Sequence, residues 1–284
     1  MKRIALLLAL STLAARGQST ISPADKFGYG ANFGWINFRP SSADGVVVRE
    51  TCLAGQAWSG NFGWINLGDG TPANGHTYSN SSATDYGVNL SASGRLTGSA
   101  WAPNVGWITF EQTHGQPRVD LLTGEFTGHA WSANAGWLHL DTSQSDLRTA
   151  SVLIADTDND GLGDAWEFLH FQNLTAAGAT TNADHDPAGD LDEYRAGTAP
   201  NDPSDWLQLT SQSLAPSGTS VTLRFTTALG RLYRIEFNDN LQGAWTNSNL
   251  GTFAPDAGAV TEKTLTIPAG PRRFFKVVCV RPLT

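Results

Sequence analysis

Ala57-Trp-Ser-Gly-Asn-Phe-Gly-Trp-Ile-Asn-Leu67 recurs as Ala100-Trp-Ala-Pro-Asn-Val-Gly-Trp-Ile-Thr-Phe110 and as Ala130-Trp-Ser-Ala-Asn-Ala-Gly-Trp-Leu-His-Leu140. A shorter copy, Ala31-Asn-Phe-Gly-Trp-Ile-Asn-Phe38, precedes them. The shared unit is Asn-x-Gly-Trp followed by an apolar-polar-apolar triplet, and the later three copies add Gly-x-Ala-Trp just before it. Alternation with a period of two after Gly-Trp indicates strands with one buried face. Asn61, Asn104 and Asn134, each with a Gly two residues on, suit tight turns because both residue types tolerate positive φ. Upstream lie Gly45-Val-Val-Val, Tyr86-Gly-Val-Asn-Leu and Pro117-Arg-Val-Asp-Leu. Each unit therefore reads as three short strands: one valine-rich, one ending in Ala-Trp and one opening with Gly-Trp.

The pattern resembles the Ala-Trp-Ser-x-Asn-x-Gly-Trp-Ile repeats found in tandem in secreted proteins of uncultivated bacteria, over residues 28 to 142. The resemblance implies a repeat architecture and no particular activity. One unit cannot bury its apolar face alone, so the units are expected to stack or to close into a ring. The first copy is expected to hold only its last strand, free to complete a neighbour's sheet. Trp35, Trp58, Trp64, Trp101, Trp107, Trp131 and Trp137 recur at fixed positions. They are expected as a core ladder of large apolar groups; the competing reading makes some of them a sugar-stacking platform.

The acidic segment carries the sharpest chemistry. Asp156-Thr-Asp158-Asn-Asp160-Gly161-Leu162-Gly-Asp164-Ala-Trp-Glu167 sets oxygen ligands at loop positions 1, 3, 5, 9 and 12. Gly161 stands at position 6, and the Leu162 carbonyl is available at position 7. A hard cation such as calcium takes about six to eight oxygens, which alternate side chains of a tight loop can supply. Ala165 to Phe171 is expected to continue as a short helix. A second loop, in register from Glu193 at position 12, offers Asn182, Asp184, Asp186, the Ala188 carbonyl and Asp190. Pro187 stands there where the turn calls for Gly, and its ring fixes φ near −65°. This loop is therefore expected to be distorted, displaced or weaker.

Together these loops resemble the thrombospondin type 3-like and dockerin-like calcium segments of bacterial secreted proteins. The usual form of those segments pairs an Asp-x-Asp-x-Asp-Gly-Leu-x-Asp-x-x-Glu loop with an ending Glu-Tyr-x-x-Gly-Thr-Asp-Pro. Here the ending reads Glu193-Tyr194-Arg-Ala-Gly197-Thr198-Ala199-Pro200, with Ala199 in place of the usual Asp. The resemblance spans about residues 156 to 205 and implies calcium-stabilised linker structure. Docking to a cohesin, as a true dockerin would do, is not expected, because the two loops are not near-duplicates.

From Leu207 onward the pattern is again alternating. Val221-Thr-Leu-Arg-Phe, Leu232-Tyr-Arg-Ile-Glu-Phe, Lys263-Thr-Leu-Thr-Ile and Phe274-Phe-Lys-Val-Val-Cys-Val are separated by Gly, Pro, Asn and Asp clusters. They fit a small C-terminal β-sandwich. The stretch from Gly230 to Phe237, with Trp245, resembles the β-modules that follow Asp-rich segments in large secreted bacterial proteins. Trp245 is expected in the core, with a ligand platform as the alternative.

The expected fold is thus mainly β. A Trp-rich β-repeat domain covers 18–150, a short Asp-rich calcium-binding segment with brief helices 151–205, and a β-sandwich 206–284. Lys2 and Arg3 before the apolar run Ile4 to Ala15 read as a signal peptide ending at Gly17. No other apolar run reaches the roughly 18 residues of a membrane span. The net charge of −8 is local: 12 Asp or Glu and one Arg lie between Ser151 and Trp206. That distribution argues against a nucleic-acid partner. Cys52 and Cys279 fall in different expected domains and read as two thiols rather than a bridge. The six histidines lack metal-ligand spacing, and no nucleophile elbow, phosphate loop or dinucleotide fingerprint occurs. The expectation is a non-enzymatic, secreted or cell-surface calcium-binding protein, in which calcium rigidifies the joint between two β-domains. The alternative is an extracellular polysaccharide-binding protein using exposed Trp. Expected partners are calcium and extracellular polysaccharide or other surface proteins.

Overall fold

The computed structural model describes residues 18–41, 43–141, 146–267 and 272–283, so the expected signal peptide lies outside the described residues. The chain is mainly β, with 41% strand and 6% helix. Its first half runs β1 (Ile21–Gly30), β2 (Gly34–Asn37), β3 (Val46–Val48), β4 (Leu53–Ser59) and β5 (Gly63–Asn66). It continues through β6 (Val88–Leu90), β7 (Leu96–Ala102), β8 (Gly106–Thr109), β9 (Arg118–Val119), β10 (Phe126–Thr127), β11 (His129–Ser132), β12 (Gly136–His139) and β13 (Leu147–Thr149). Four hairpins, β1–β2, β4–β5, β7–β8 and β11–β12, each carry one sequence repeat and pair side by side. Tyr29 of β1 pairs with His139 of β12, which closes an eight-strand barrel-like sheet.

The repeat dictates the packing. Along each hairpin a small residue faces a large one across the strands: Ala57 opposite Ile65, Ala100 opposite Ile108 and Ala130 opposite Leu138. Gly28 opposite Ile36 is the equivalent in the first hairpin. These side chains point inward and are buried. A ring of eight strands leaves room for about this alternation of small and medium groups, and no more. The tryptophans therefore face outward, which overturns the expected core ladder. Exposure runs from 37% at Trp137 to 45% at Trp107, with Trp101 half-buried.

The turns bear a second device. Positive φ is taken by Gly34, Gly63, Gly106 and Gly136, while the Asn two residues earlier does not adopt it. Each Asn instead donates its side-chain amide to the main chain of the preceding turn. Asn61 reaches Asn32 O at 3.0 Å, Asn104 reaches Phe62 O at 3.0 Å and Asn134 reaches Val105 O at 2.8 Å. Asn32 completes the ring by donating to Ala135 O at 3.1 Å.

The valine-rich strands lie off the ring: β3 pairs with the start of β4, and β6 with the start of β7. The first copy has both hairpin strands, contrary to the single strand expected of it. Its missing outer strand is supplied by β13, which follows the last copy and pairs with the start of β1. The two ends of the domain are thereby sewn together.

Two helices follow, α1 (Asp164–Phe171) and α2 (Asp190–Ala196). The rest comprises β14 (Leu209–Leu214), β15 (Ser220–Thr226), β16 (Leu232–Asn238), β17 (Thr246–Phe253), β18 (Val260–Thr266) and β19 (Phe274–Val280). These form two three-stranded antiparallel sheets, β14-β15-β18 and β17-β16-β19. Val221, Leu223, Phe225, Tyr233, Ile235 and Leu265 from the two sheets make one buried cluster. Trp245 is not in that core; it is half-buried, with Lys276 Nζ 4.8 Å over its ring. Cys52 and Cys279 are free thiols, and burial pushes Cys52 up to about 11, leaving it little thiolate.

Candidate cation-binding segment and the aromatic outer face

The acidic loops are built alike. In the first, Asp156 accepts from the backbone N–H of Asp160 at 3.2 Å and of Gly161 at 3.1 Å, and Asp160 accepts from Leu162 N at 2.8 Å. Asn159 takes φ 61° and Gly161 φ 95°, which fold the chain back on itself. The result brings carboxylate oxygens of Asp156, Asp158 and Asp160 within 4.8 Å of one another. The chain then enters α1, so Glu167 lies one turn in. Glu167 has no exposed surface, and neither of its carboxylate oxygens has a hydrogen-bond partner. Its carboxyl is pushed up to about 7 by burial and then by the charges of Asp160, Asp158, Asp164 and Asp156. Asp164 does not join the triad. Its oxygens accept from Thr157 N at 2.7 Å and Thr157 Oγ1 at 2.6 Å, bracing the loop from behind.

The second loop repeats this geometry despite Pro187. His185 takes φ 64°, as Asn159 does, and Ala188 N donates to Asp186 at 2.6 Å, as Leu162 N does to Asp160. Asp190 accepts from Ala183 N at 3.0 Å and from Thr181 Oγ1, the counterpart of the Asp164 brace. Asp184, Asp186 and Glu193 bring their oxygens within 4.8 Å. Glu193 is fully buried, and burial followed by Asp184, Asp186 and Asp190 pushes it up to about 7. Asn182 accepts from His185 N at 2.8 Å and donates to Asp186 O at 2.8 Å. Its side chain thus braces the loop backbone, as Asp156 does in the first loop. Pro187 has no N–H to match the one Gly161 gives to Asp156, and Asp186 N donates to Asp184 at 3.1 Å where Asp160 N donates to Asp156.

Each loop thus gathers carboxylate oxygens able to hold a cation, with a fully buried glutamate in the helix that follows; Glu193 joins the second group directly. An uncompensated buried carboxylate is costly, and a bound cation is the natural compensation. Leu162, Trp166, Ala177 and Tyr194 form a small core between the loops.

This segment is wedged between the two β-modules. Gly163 sits so close to Glu50 and Tyr194 that an added Cβ would lie 2.4 Å from Glu50 Oε2 and 2.6 Å from the tyrosine hydroxyl. Arg281 pairs with Glu50 at 2.7 Å and lies 4.4 Å over the Tyr194 ring. Arg231 donates to the carbonyls of Arg195 at 2.8 Å and Tyr194 at 3.2 Å, at the end of α2. Glu50, Arg231 and Arg281 carry no local sequence signal; only the tertiary fold brings them to the joint.

On the barrel's outer face the indoles pair edge to face across each hairpin. The ring centroids are 4.9 Å apart for Trp58–Trp64, 4.8 Å for Trp101–Trp107 and 4.7 Å for Trp131–Trp137. Tyr29–Trp35 at 5.1 Å is the first hairpin's version. No family model, curated protein or solved structure matches the chain. Among the described residues, no helix is long and apolar enough to cross a membrane.

Proposed function

We propose that this is a calcium-binding structural or interaction protein of the cell exterior, in which two EF-hand-type loops fix the joint between a Trp-repeat barrel and a C-terminal β-sandwich. One observation carries the reading: Glu167 is fully buried with two unpartnered oxygens and feels the charges of Asp156, Asp158 and Asp160, whose own carboxylate oxygens lie within 4.8 Å of one another. Aspartates alone would be a solvated acidic surface, whereas a buried, unpartnered glutamate within reach of their charges asks for a multivalent cation. Calcium suits the oxygen-only donors and the loop spacing. The likeness to thrombospondin type 3-like and dockerin-like segments, and the leader-like first residues, support an extracellular setting. Calorimetric titration with calcium tests the site, and Glu167→Gln should weaken it most by removing a ligand charge at position 12. Proteolysis tests the joint: cleavage should fall between residues 150 and 206 in chelator and be suppressed in millimolar calcium. Equal titrations of parent and variant, or calcium-indifferent cleavage, would overturn the proposal.

A second reading is supported by the outward tryptophans. Exposed aromatic pairs repeated around a rigid barrel suit the flat C–H faces of polysaccharides. The residues beside them on the same face are largely polar, as in Gln56–Asn66 and Ser99–Thr109.

A further inference from the structure

We propose that the barrel carries one built saccharide subsite, in the cleft between the 68–87 insertion and the third hairpin. The proposal rests on the polysaccharide reading and gives it a place. The first and third copies reach their next outer or ribbon strand in 8 residues, from Asn37 to Val46 and from Thr109 to Arg118. The second copy takes a far longer path, from Asn66 to Val88. Insertions in repeat folds often mark the binding face.

The insertion is fastened rather than loose. Asp85 accepts from the N–H groups of Ala73 at 3.2 Å and Ser79 at 3.0 Å, and Asn89 holds both main-chain groups of Tyr78. Asn80, at φ 55°, accepts from Gly87 N at 3.2 Å and Ser99 N at 3.1 Å, which ties the insertion to β7. A preformed site of this kind spends little ordering entropy on binding.

The insertion lays Tyr86 edge-on against Trp107, with centroids 5.1 Å apart, and Asn66 fixes the Tyr86 hydroxyl at 3.0 Å. Trp107 remains 45% exposed. Around it opens a cleft of about 450 Å³. Its lining includes Asn80, Ser82, Tyr86, Ser99, Trp107 and Thr109, and none of its lining side chains carries a charge. In a chain of net charge −8, an uncharged cleft with an indole, an amide and several hydroxyls selects a neutral ligand. That ligand needs one apolar face for the ring and many hydroxyls for the rim, which describes a hexose unit of a neutral polysaccharide. A proline-rich peptide would also stack on an indole, but its rings carry no hydroxyls to match the polar rim.

The test is affinity electrophoresis of the full chain in millimolar calcium through gels containing xyloglucan, mixed-linkage β-glucan, galactomannan or arabinoxylan, with alginate as the charged comparison. Retardation by at least one neutral polymer is expected. Trp107→Ala, and Ala83→Arg at an exposed position on the cleft rim, should each weaken it about tenfold or more, whereas Trp35→Ala should not. Ala83→Arg touches neither the hairpins nor the core, so it reads the cleft even where Trp107→Ala fails to fold. Retardation indifferent to Ala83→Arg, or weakened equally by Trp35→Ala, overturns the cleft while leaving the wider aromatic belt as the binding face. No retardation in any neutral gel overturns both. Binding of a proline-rich peptide without any glycan also overturns the proposal.

Discussion

The side-chain amide of Asn32 donates to the main-chain carbonyl of Ala135, 3.1 Å away in space and 103 residues along the chain. It is the fourth of four equivalent bonds, and the one that joins the first hairpin to the last. Asn32→Ala should therefore cost about 1 kcal/mol, the ordinary net worth of such a bond. Asn104→Ala should cost about as much. Denaturant titration followed by tryptophan fluorescence would read both midpoints. An unshifted midpoint for Asn32→Ala would mean that backbone pairing between β1 and β12 alone closes the ring.

Gly98 shows why the glycine of Gly-x-Ala-Trp recurs in the later three copies. It takes φ 87°, and a Cβ on it would lie 2.3 Å from Gly87 O. Gly55 and Gly128 repeat the constraint against Gly45 O at 2.2 Å and Gln116 O at 2.5 Å. Here the strand leaves its outer partner and enters the ring. Gly98→Ala should destabilise by more than the roughly 1–3 kcal/mol of backbone strain alone, since the clashing atom is main chain. Gly60→Ala, with nothing within 4 Å, should be close to silent. Comparable melting temperatures for the two variants would contradict this account.

Much of this was legible in the chain. The repeats announced hairpins, and the spacing of Asp156, Asp158 and Asp160 announced a converging oxygen group. What misled was the face. A period of two fixes that Ala57 and Trp58 point oppositely, but not which one points in. Size decides that, and only after the number of strands in the ring is known: Ala and Ile fill eight strands, and indoles do not. The alternating motif equally concealed that Asn61 supports its neighbour rather than its own turn. Contacts such as Glu50 with Arg281, 231 residues apart, leave no local trace in sequence.

Pro187 allows a direct comparison of the loops. Gly161 supplies an N–H to Asp156 at 3.1 Å and a left-handed turn; Pro187 can supply neither. Pro187→Gly should tighten calcium binding at the second loop several-fold. It should also loosen the metal-free segment by about 0.4–1 kcal/mol, through the freer unfolded chain. Calorimetry with and without the substitution, on a Glu167→Gln background that silences the first loop, would separate the sites. An unchanged or weaker second site would show that the turn at Pro187 is already the one calcium uses.

The raised carboxyls set a sign for pH. Burial and neighbouring aspartates lift Glu167 and Glu193 from an ordinary 4.5 to about 7. In the metal-free fold both therefore keep their protons where the unfolded chain has already lost them. Their contribution to stability is whole below about pH 4.5 and is lost as pH rises through about 7. Calcium reverses the dependence, because the ligand form is the carboxylate and binding must expel the proton. Below about pH 7 the apparent affinity of each loop should fall, approaching tenfold per pH unit for its one titrating glutamate. Titrations at about pH 6 in two buffers of different ionisation enthalpy should show protons released on binding, and at about pH 8 should show almost none. Proteolysis in chelator should follow the opposite course, with the 150–206 stretch more resistant at about pH 5 than at about pH 8. Proton release that is absent at the lower pH, with affinity flat across this range, would place Glu167 and Glu193 outside the cation's shell.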